Sequence, residues 1–240
     1  MSDAVDTKNT NRQSKFSLEV GRPLPPDYVP ALRFPWLTQY YDAVVGSTTR
    51  ERTFKQALIV QAGIAANHEV LDLACGTATL ALMAKRQQPL AKVTGIDGDP
   101  DILRIATEKA RNADMAMSFD QGLSYALPYA TSSFDRVLSS LFFHHLSLTD
   151  KQRTANEVFR VLKPGGEFHV ADWGRPTNLV MRGLFFMIQL LDGFENTQDN
   201  VSGRLIEVFE QAGFKDVAEQ QRFSTIFGTQ SLYRATKGTA

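Results

Sequence analysis

A chain of 240 residues that is 43% hydrophobic and 22% charged can bury a sizeable core, which excludes global disorder and a minimal stapled fold. Lys plus Arg equals Asp plus Glu at 26 each, and that balance argues against nucleic acid as the partner, because phosphate backbones are held by a basic stripe. The single cysteine, Cys75, has no internal disulfide partner, the polar N-terminus has no signal-type apolar run, and the most apolar stretch (Leu184–Leu191) is too short to span a bilayer, so a cytoplasmic protein without a membrane span is expected.

Residues 1 to about 20 offer almost nothing to bury, and five of the ten prolines fall between Pro23 and Pro35. Residues 1–30 are therefore predicted as a disordered or extended Pro-rich segment. From Phe34 aromatic residues enter, and helical spacing runs to about Ala66. Strand and helix patterns then alternate: a strand at Val70–Ala74, a helix at Thr79–Arg86 and a strand at Ala91–Ile96. The next helix opens on Asp99-Pro100-Asp101, with Asp99 as cap and Pro100 in the first position. Strands at Met115–Phe119 and Arg136–Leu141, a helix at 150–162 and a strand at Glu167–Asp172 continue the alternation. A helix at 202–212 precedes two strand-like runs, 215–223 and 230–236, with no helix between them. The prediction is an α/β fold: a doubly wound, mostly parallel sheet of seven strands, helices on both faces and an antiparallel C-terminal hairpin at its edge.

Ligands collect at the carboxyl ends of such strands. The first strand ends in Asp72-Leu73-Ala74-Cys75-Gly76-Thr77-Ala78-Thr79, whose small residues permit a tight turn and a close ligand. The second ends at Asp97, an acid placed to hold the two hydroxyls of a ribose. A dinucleotide fingerprint would need glycines at 74, 76 and 79, where the chain has Ala74, Gly76 and Thr79. A nicotinamide-dependent oxidoreductase is thereby disfavoured.

Val70–Thr79 with Asp97, Leu127-Pro128-Tyr129, Ser133-Phe134-Asp135 and Val161-Leu162-Lys163-Pro164-Gly165-Gly166 resembles, in order and spacing, the class I S-adenosylmethionine-dependent methyltransferases. The nearest branch is the small-molecule one containing the ubiquinone and menaquinone methyltransferases. The resemblance implies a Rossmann-like core over residues 67–240 within a single domain 31–240. It also implies a helical lid over residues 31–66 with Tyr40 and Tyr41, and a helical insertion at 174–200 on the substrate side. S-adenosyl-L-methionine is the implied cofactor. Position by position, Ala74, Cys75, Gly76 and Thr77 would meet its methionine end, and Asp72 would orient that loop or the ammonium. Asp97 would hold the ribose, Gly98 would flank the adenine, Leu123 and Ser124 would border it, and Ser139 and Ser140 would face the amino-acid portion. The family usually carries Gly at 74 and 78, and often an acid or amide at 123.

Methyl transfer from a sulfonium is an in-line displacement that gains mostly from alignment and, where needed, from a base. His144 and His145 follow the fourth strand and are the candidate bases, with capping or packing as the alternative; no metal-ligand spacing accompanies them. Asp172 borders the same cleft as a substrate ligand or a turn cap. Leu179–Phe194 either roofs an apolar pocket or forms a homodimer contact. The expected reaction is methylation at oxygen or carbon of a small, partly apolar molecule; the alternative is a regulatory protein that binds the nucleoside without turnover.

Overall fold

The computed structural model describes residues 16–19, 51–175, 203–225 and 228–239. Tyr40, Tyr41, most of the expected lid and Leu179–Phe194 lie outside the described residues. In chain order the elements are β1 (Phe16–Glu19), α1 (Glu51–Ala62), β2 (Glu69–Leu73), α2 (Thr79–Gln87), β3 (Lys92–Asp97), α3 (Pro100–Asn112), β4 (Met117–Gln121), β5 (Phe134–Ser140), α4 (Leu148–Val161), β6 (Leu162–Trp173), α5 (Leu205–Gln211), β7 (Lys215–Thr225) and β8 (Gly228–Thr236).

The strands form one sheet in the order β1-β4-β3-β2-β5-β6-β8-β7. β8 pairs antiparallel with both β6 and β7, whereas every other pairing is parallel. All seven expected strands are present, closed by the expected hairpin. An eighth, β1, pairs in parallel with β4 through Phe16–Glu19, within the segment expected to be disordered or extended. β6 also starts earlier than its apolar run: Lys163-Pro164-Gly165-Gly166 belongs to the strand, across an irregularity between Phe134 and Arg136. Backbone bonds between Gly165 and Lys237 (2.7 Å) and between Lys237 and Gly166 (2.9 Å) tie this start to the chain's end.

The core has two halves because strand residues alternate sides. Val70, Leu138, Ala171 and Leu232 pack with Phe54, Leu58, Leu80, Ala84 and Leu103 of α1, α2 and α3. Leu71, Leu73, Val137, Phe168 and Val170 pack with Ala155, Val158, Leu205 and Phe209 of α4 and α5 on the other face. α3 starts as its sequence dictates: the Asp99 side chain accepts from the N–H groups of Asp101 (2.8 Å) and Ile102 (3.3 Å). The order reverses between β2 and β5, and this reversal positions the site.

Candidate active site

At the carboxyl end of β2 the chain turns through Ala74 (φ 54°), Gly76 (φ 53°) and Ala78 (φ 63°), three left-handed residues in alternation. Two are alanines, whose Cβ makes that conformation costly. The loop is pinned from below. Cys75 N–H donates to Ile96 O (2.9 Å), Gly76 N–H to Asp97 Oδ2 (2.9 Å), and Asp99 N–H to Asp97 Oδ1 (3.1 Å). A Cβ on Gly95 would stand 2.8 Å from Cys75 Sγ and from the Phe119 ring, so a glycine in β3 lets the loop close over the sheet. Burial raises the Cys75 thiol far above its ordinary value, which leaves it a packed, unreactive group.

Asp72 is buried, and its Oδ2 accepts from Ala81 N–H (2.9 Å) in the first turn of α2. The N-cap residue there, Ala78, supplies no side-chain acceptor, so the strand acid does the capping. Burial pushes Asp72 up to about 7 against the opposing pull of Lys55, which is paired with Glu51 in α1. Burial likewise raises Asp97, offset in part by the N–H groups of Asp99, Gly76 and Gly98.

The second half of the site begins where β5 ends. Leu141 takes φ 56°, an uncommon value for a branched residue, and its N–H donates to Ala171 O (2.8 Å). This sharp turn throws Phe142 to His145 across the strand ends, with Phe143–His145 forming a single 3-10 turn. Phe143 is fully buried against Phe168 and Phe209, with ring centroids 5.8 and 5.5 Å away, and anchors the turn with about 2–3 kcal/mol of burial.

Asp172, fully buried on β6, receives this turn. Its Oδ2 accepts from the N–H groups of Phe142 (3.1 Å) and His144 (3.4 Å). Its Oδ1 accepts from Trp173 N–H (2.7 Å) and lies 2.7 Å from His144 Nδ1. Burial alone would raise this carboxyl, but His144 and the Trp173 N–H hold it below its usual range. Being ionised at neutral pH, it can only accept, so Nδ1 of His144 carries a proton directed at it. His145 stacks on His144 with ring centroids 4.0 Å apart, and burial, then the neighbouring His144, lowers it to about 3. The structure thus separates two histidines that look alike in sequence: His144 is oriented by a carboxylate, and His145 stays neutral.

The other expected site residues are distributed unevenly. Thr77 Oγ1 accepts from Lys109 Nζ of α3 (2.8 Å), and Gly98 O accepts from the Gln121 side chain (3.3 Å). Ser124 Oγ is 2.9 Å from Thr154 Oγ1 of α4, and Leu123 bridges to Ala126. The Ser124 hydroxyl is therefore engaged by the helix. Ser139 is buried and donates to Leu73 O (3.2 Å), so its hydroxyl knits β5 to β2. Ser140 is half-buried beside it. Sequence reasoning missed the clamp on Leu127-Pro128-Tyr129: Glu157 accepts from Leu127 N–H (2.8 Å), while Arg160 donates to Tyr129 O (2.7 Å) and Leu127 O (3.0 Å). Its only signal was the Glu157–Arg160 pair on one face of α4. Among the described residues, no three His, Cys, Asp or Glu side chains converge on a metal position.

The geometry fits the cofactor that the sequence implied. Three left-handed residues expose loop backbone, the adjoining helix is capped by Asp72 of β2 and not by its own N-cap residue, and a strand-end carboxylate with four lone-pair sites is met by three N–H groups. Comparisons with known proteins agree. Residues 70–166 match the family described as "Methyltransferase domain". The demethylmenaquinone methyltransferase of Lactobacillus johnsonii is 32% identical over 188 residues, covering 70% of this chain and 74% of that protein. The one from Thermus thermophilus is 37% identical over 107 residues, 45% of this chain, and the match spans about half (48%) of that protein. The solved phosphoethanolamine N-methyltransferase 2 of Haemonchus contortus, in complex with S-adenosyl-L-methionine, shares the fold with a TM-score of 0.68 at 16% identity, covering 90% of this chain and 62% of that one. A switch-point cradle of this build, in a chain with these relatives, uses S-adenosyl-L-methionine as its cofactor, and the chain belongs to the class I S-adenosylmethionine-dependent methyltransferases.

Proposed function

We propose that the enzyme methylates a ring carbon adjacent to a hydroxyl group in a small, partly apolar quinol or phenol, with His144 as general base and Asp172 as the group that positions it. The observation that carries this reading is the 2.7 Å contact between His144 Nδ1 and a buried carboxylate that accepts three further N–H groups. An imidazole held in this way presents Nε2 for proton abstraction and has its cationic form stabilised after the transfer. The names of the relatives, which are demethylmenaquinone methyltransferases, favour a quinol-type ring over an amine.

When bound, S-adenosylmethionine supplies an activated methyl group on a positively charged sulfur. The chain's own groups do the rest. Ala74 to Thr77 hold the methionine end, Asp72 fixes the start of α2 and faces the ammonium, and Asp97 holds the ribose. Gly98 flanks the adenine, and with Ser124 engaged by Thr154, the backbone of Leu123 and Ser124 is left to meet the adenine amino group. His144 Nε2 takes the proton of the acceptor hydroxyl, which moves electron density onto the ring carbon; that carbon attacks the methyl group as its bond to sulfur breaks, and then releases its own hydrogen as a proton, which restores the aromatic ring. Alignment of that carbon supplies most of the acceleration.

Anaerobic incubation with methyl-labelled S-adenosylmethionine and a panel of quinols, phenols and amines tests this. Label on a ring carbon of the quinols, lost in a His144→Gln variant that still binds S-adenosylhomocysteine, is the expected result. Label transferred only to amines, or at an undiminished rate by the variant, would overturn it.

A further inference from the structure

Methylation at a ring carbon releases a proton that His144 alone does not account for. Once His144 holds the proton of the acceptor hydroxyl, the attacked carbon carries both the new methyl group and its original hydrogen. The ring becomes aromatic again only when that hydrogen leaves as a proton. The hydroxyl oxygen and the attacked carbon are two bonds apart, so the second proton acceptor has to stand in contact with the first.

His145 stands there. The 3-10 turn that seats His144 lays the next side chain against it, with ring centroids 4.0 Å apart and planes inclined by 40°. Backbone bonds hold the turn, from His145 N–H to Phe142 O (3.0 Å) and from Leu146 N–H to Phe143 O (3.1 Å). The two rings differ in access. His144 is 4% exposed and bound to Asp172, whereas His145 is half-buried, like Leu141 and Phe142 at the start of the turn. Charge divides them in the same sense. Burial and then the adjacent His144 lower His145 to about 3, with Asp172 pulling the other way. Two imidazoles in contact do not both hold an extra proton, so His145 is neutral at the moment when His144 is charged. A weak base suffices for the second proton, because its loss restores an aromatic ring.

We propose that His145 is a second catalytic base, which takes the ring-carbon proton while His144 returns its own proton to the oxygen. In this step the C–H bond breaks and its electron pair re-forms the aromatic ring. The carbonyl that the hydroxyl had become turns back into a C–O–H group with the proton from His144 Nε2. The positive charge passes from His144 to His145 and never doubles, and His145 then gives its proton to water. One proton leaves for each methyl group transferred, as the overall reaction requires, and His144 is ready for the next turnover. The assignment deepens the proposed function and rests on it.

Anaerobic kinetics with 1,4-naphthalenediol and its 2,3-dideuterated form test it. His145→Phe keeps a ring against His144 and removes the proton acceptor. In rapid-quench experiments it should form one equivalent of S-adenosylhomocysteine at the parent's rate and then turn over at least about tenfold more slowly. The slow phase should carry a primary deuterium isotope effect that the parent lacks, while Tm and S-adenosylhomocysteine affinity stay those of the parent. A packing role would slow the first turnover as well and leave the isotope effect absent. Turnover within about threefold of the parent, a first turnover slowed as much as the later ones, no isotope effect in the variant, or a lowered Tm in both His145→Phe and His145→Gln would overturn the assignment. A parent that puts no methyl group on a ring carbon would overturn the proposed function, and the second base with it.

Discussion

Replacing Asp172 with Asn keeps the shape of the buried group and changes only what its two ends can do. The carboxylate accepts two N–H groups on each oxygen: Phe142 and His144 backbone on one, Trp173 backbone and the His144 ring on the other. An amide has one accepting and one donating end. With its NH2 toward Phe142 and His144 it leaves two backbone N–H groups facing a donor. With its NH2 toward Trp173 and the ring it leaves only one, provided that His144 moves its proton from Nδ1 to Nε2. Each buried orphan costs about 1–3 kcal/mol, so the second arrangement wins by about that amount. It is also the one that abolishes the base. The expected loss of kcat is about 10²- to 10⁴-fold, with a stability loss of about 2–3 kcal/mol from the orphaned N–H and the missing charge. For a chain of this size that lowers the Tm by about 4–12 °C. Initial rates with labelled cofactor, thermal unfolding and calorimetric titration with S-adenosylhomocysteine measure the three quantities separately, and cofactor affinity should not move. A variant with kcat within threefold of the parent would refute the dyad. So would a parallel loss of rate and cofactor affinity, which would make Asp172 a purely structural group.

Asp97→Ala removes the acceptor for the Gly76 and Asp99 N–H groups as well as the proposed ribose ligand, so S-adenosylhomocysteine should bind about 10²- to 10⁴-fold more weakly by calorimetry, two charged hydrogen bonds of about 1.5–3 kcal/mol each being at stake. Burial raises Asp72 above its unfolded value, so its contribution to stability is fully present below about pH 4 and is lost as pH rises through about 7. A cofactor ammonium favours the carboxylate, so affinity should rise about tenfold between pH 6 and 8 with proton release; affinity that falls over that range would count against this placement. Ala74→Gly should stabilise the protein, because relief of about 1–2 kcal/mol of left-handed strain exceeds the roughly 0.4–1 kcal/mol of extra chain entropy. Ala78→Gly should be near neutral in urea unfolding, since its fully buried methyl gives up about 0.8 kcal/mol as well.

Local signals were legible in the sequence and pairings between distant strands were not. The Asp99 cap lies within three residues of the N–H groups it serves, and seven strands followed from apolar runs. The cradle was legible for the same reason, since Asp72, the small-residue loop and Asp97 close over 26 residues of one βαβ unit. The dyad was not. His144 and Asp172 each read as ambiguous, and only the pairing of β5 with β6 brings them within 2.7 Å. β1 was missed because Phe16–Glu19 is a short run in a polar segment that gains its hydrogen bonds from β4, about a hundred residues away. The Ser124–Thr154 contact was not legible either, because a hydroxyl in a loop does not reveal which helix residue will engage it.

A crystal structure of the S-adenosylhomocysteine complex is the most direct test. The ribose hydroxyls should sit on Asp97, the methionine end should lie along Ala74–Thr77, and the sulfur should face Nε2 of His144. A nucleoside bound elsewhere, or a sulfur turned away from His144 with Asp97 still bonded only to its own loop, would contradict it.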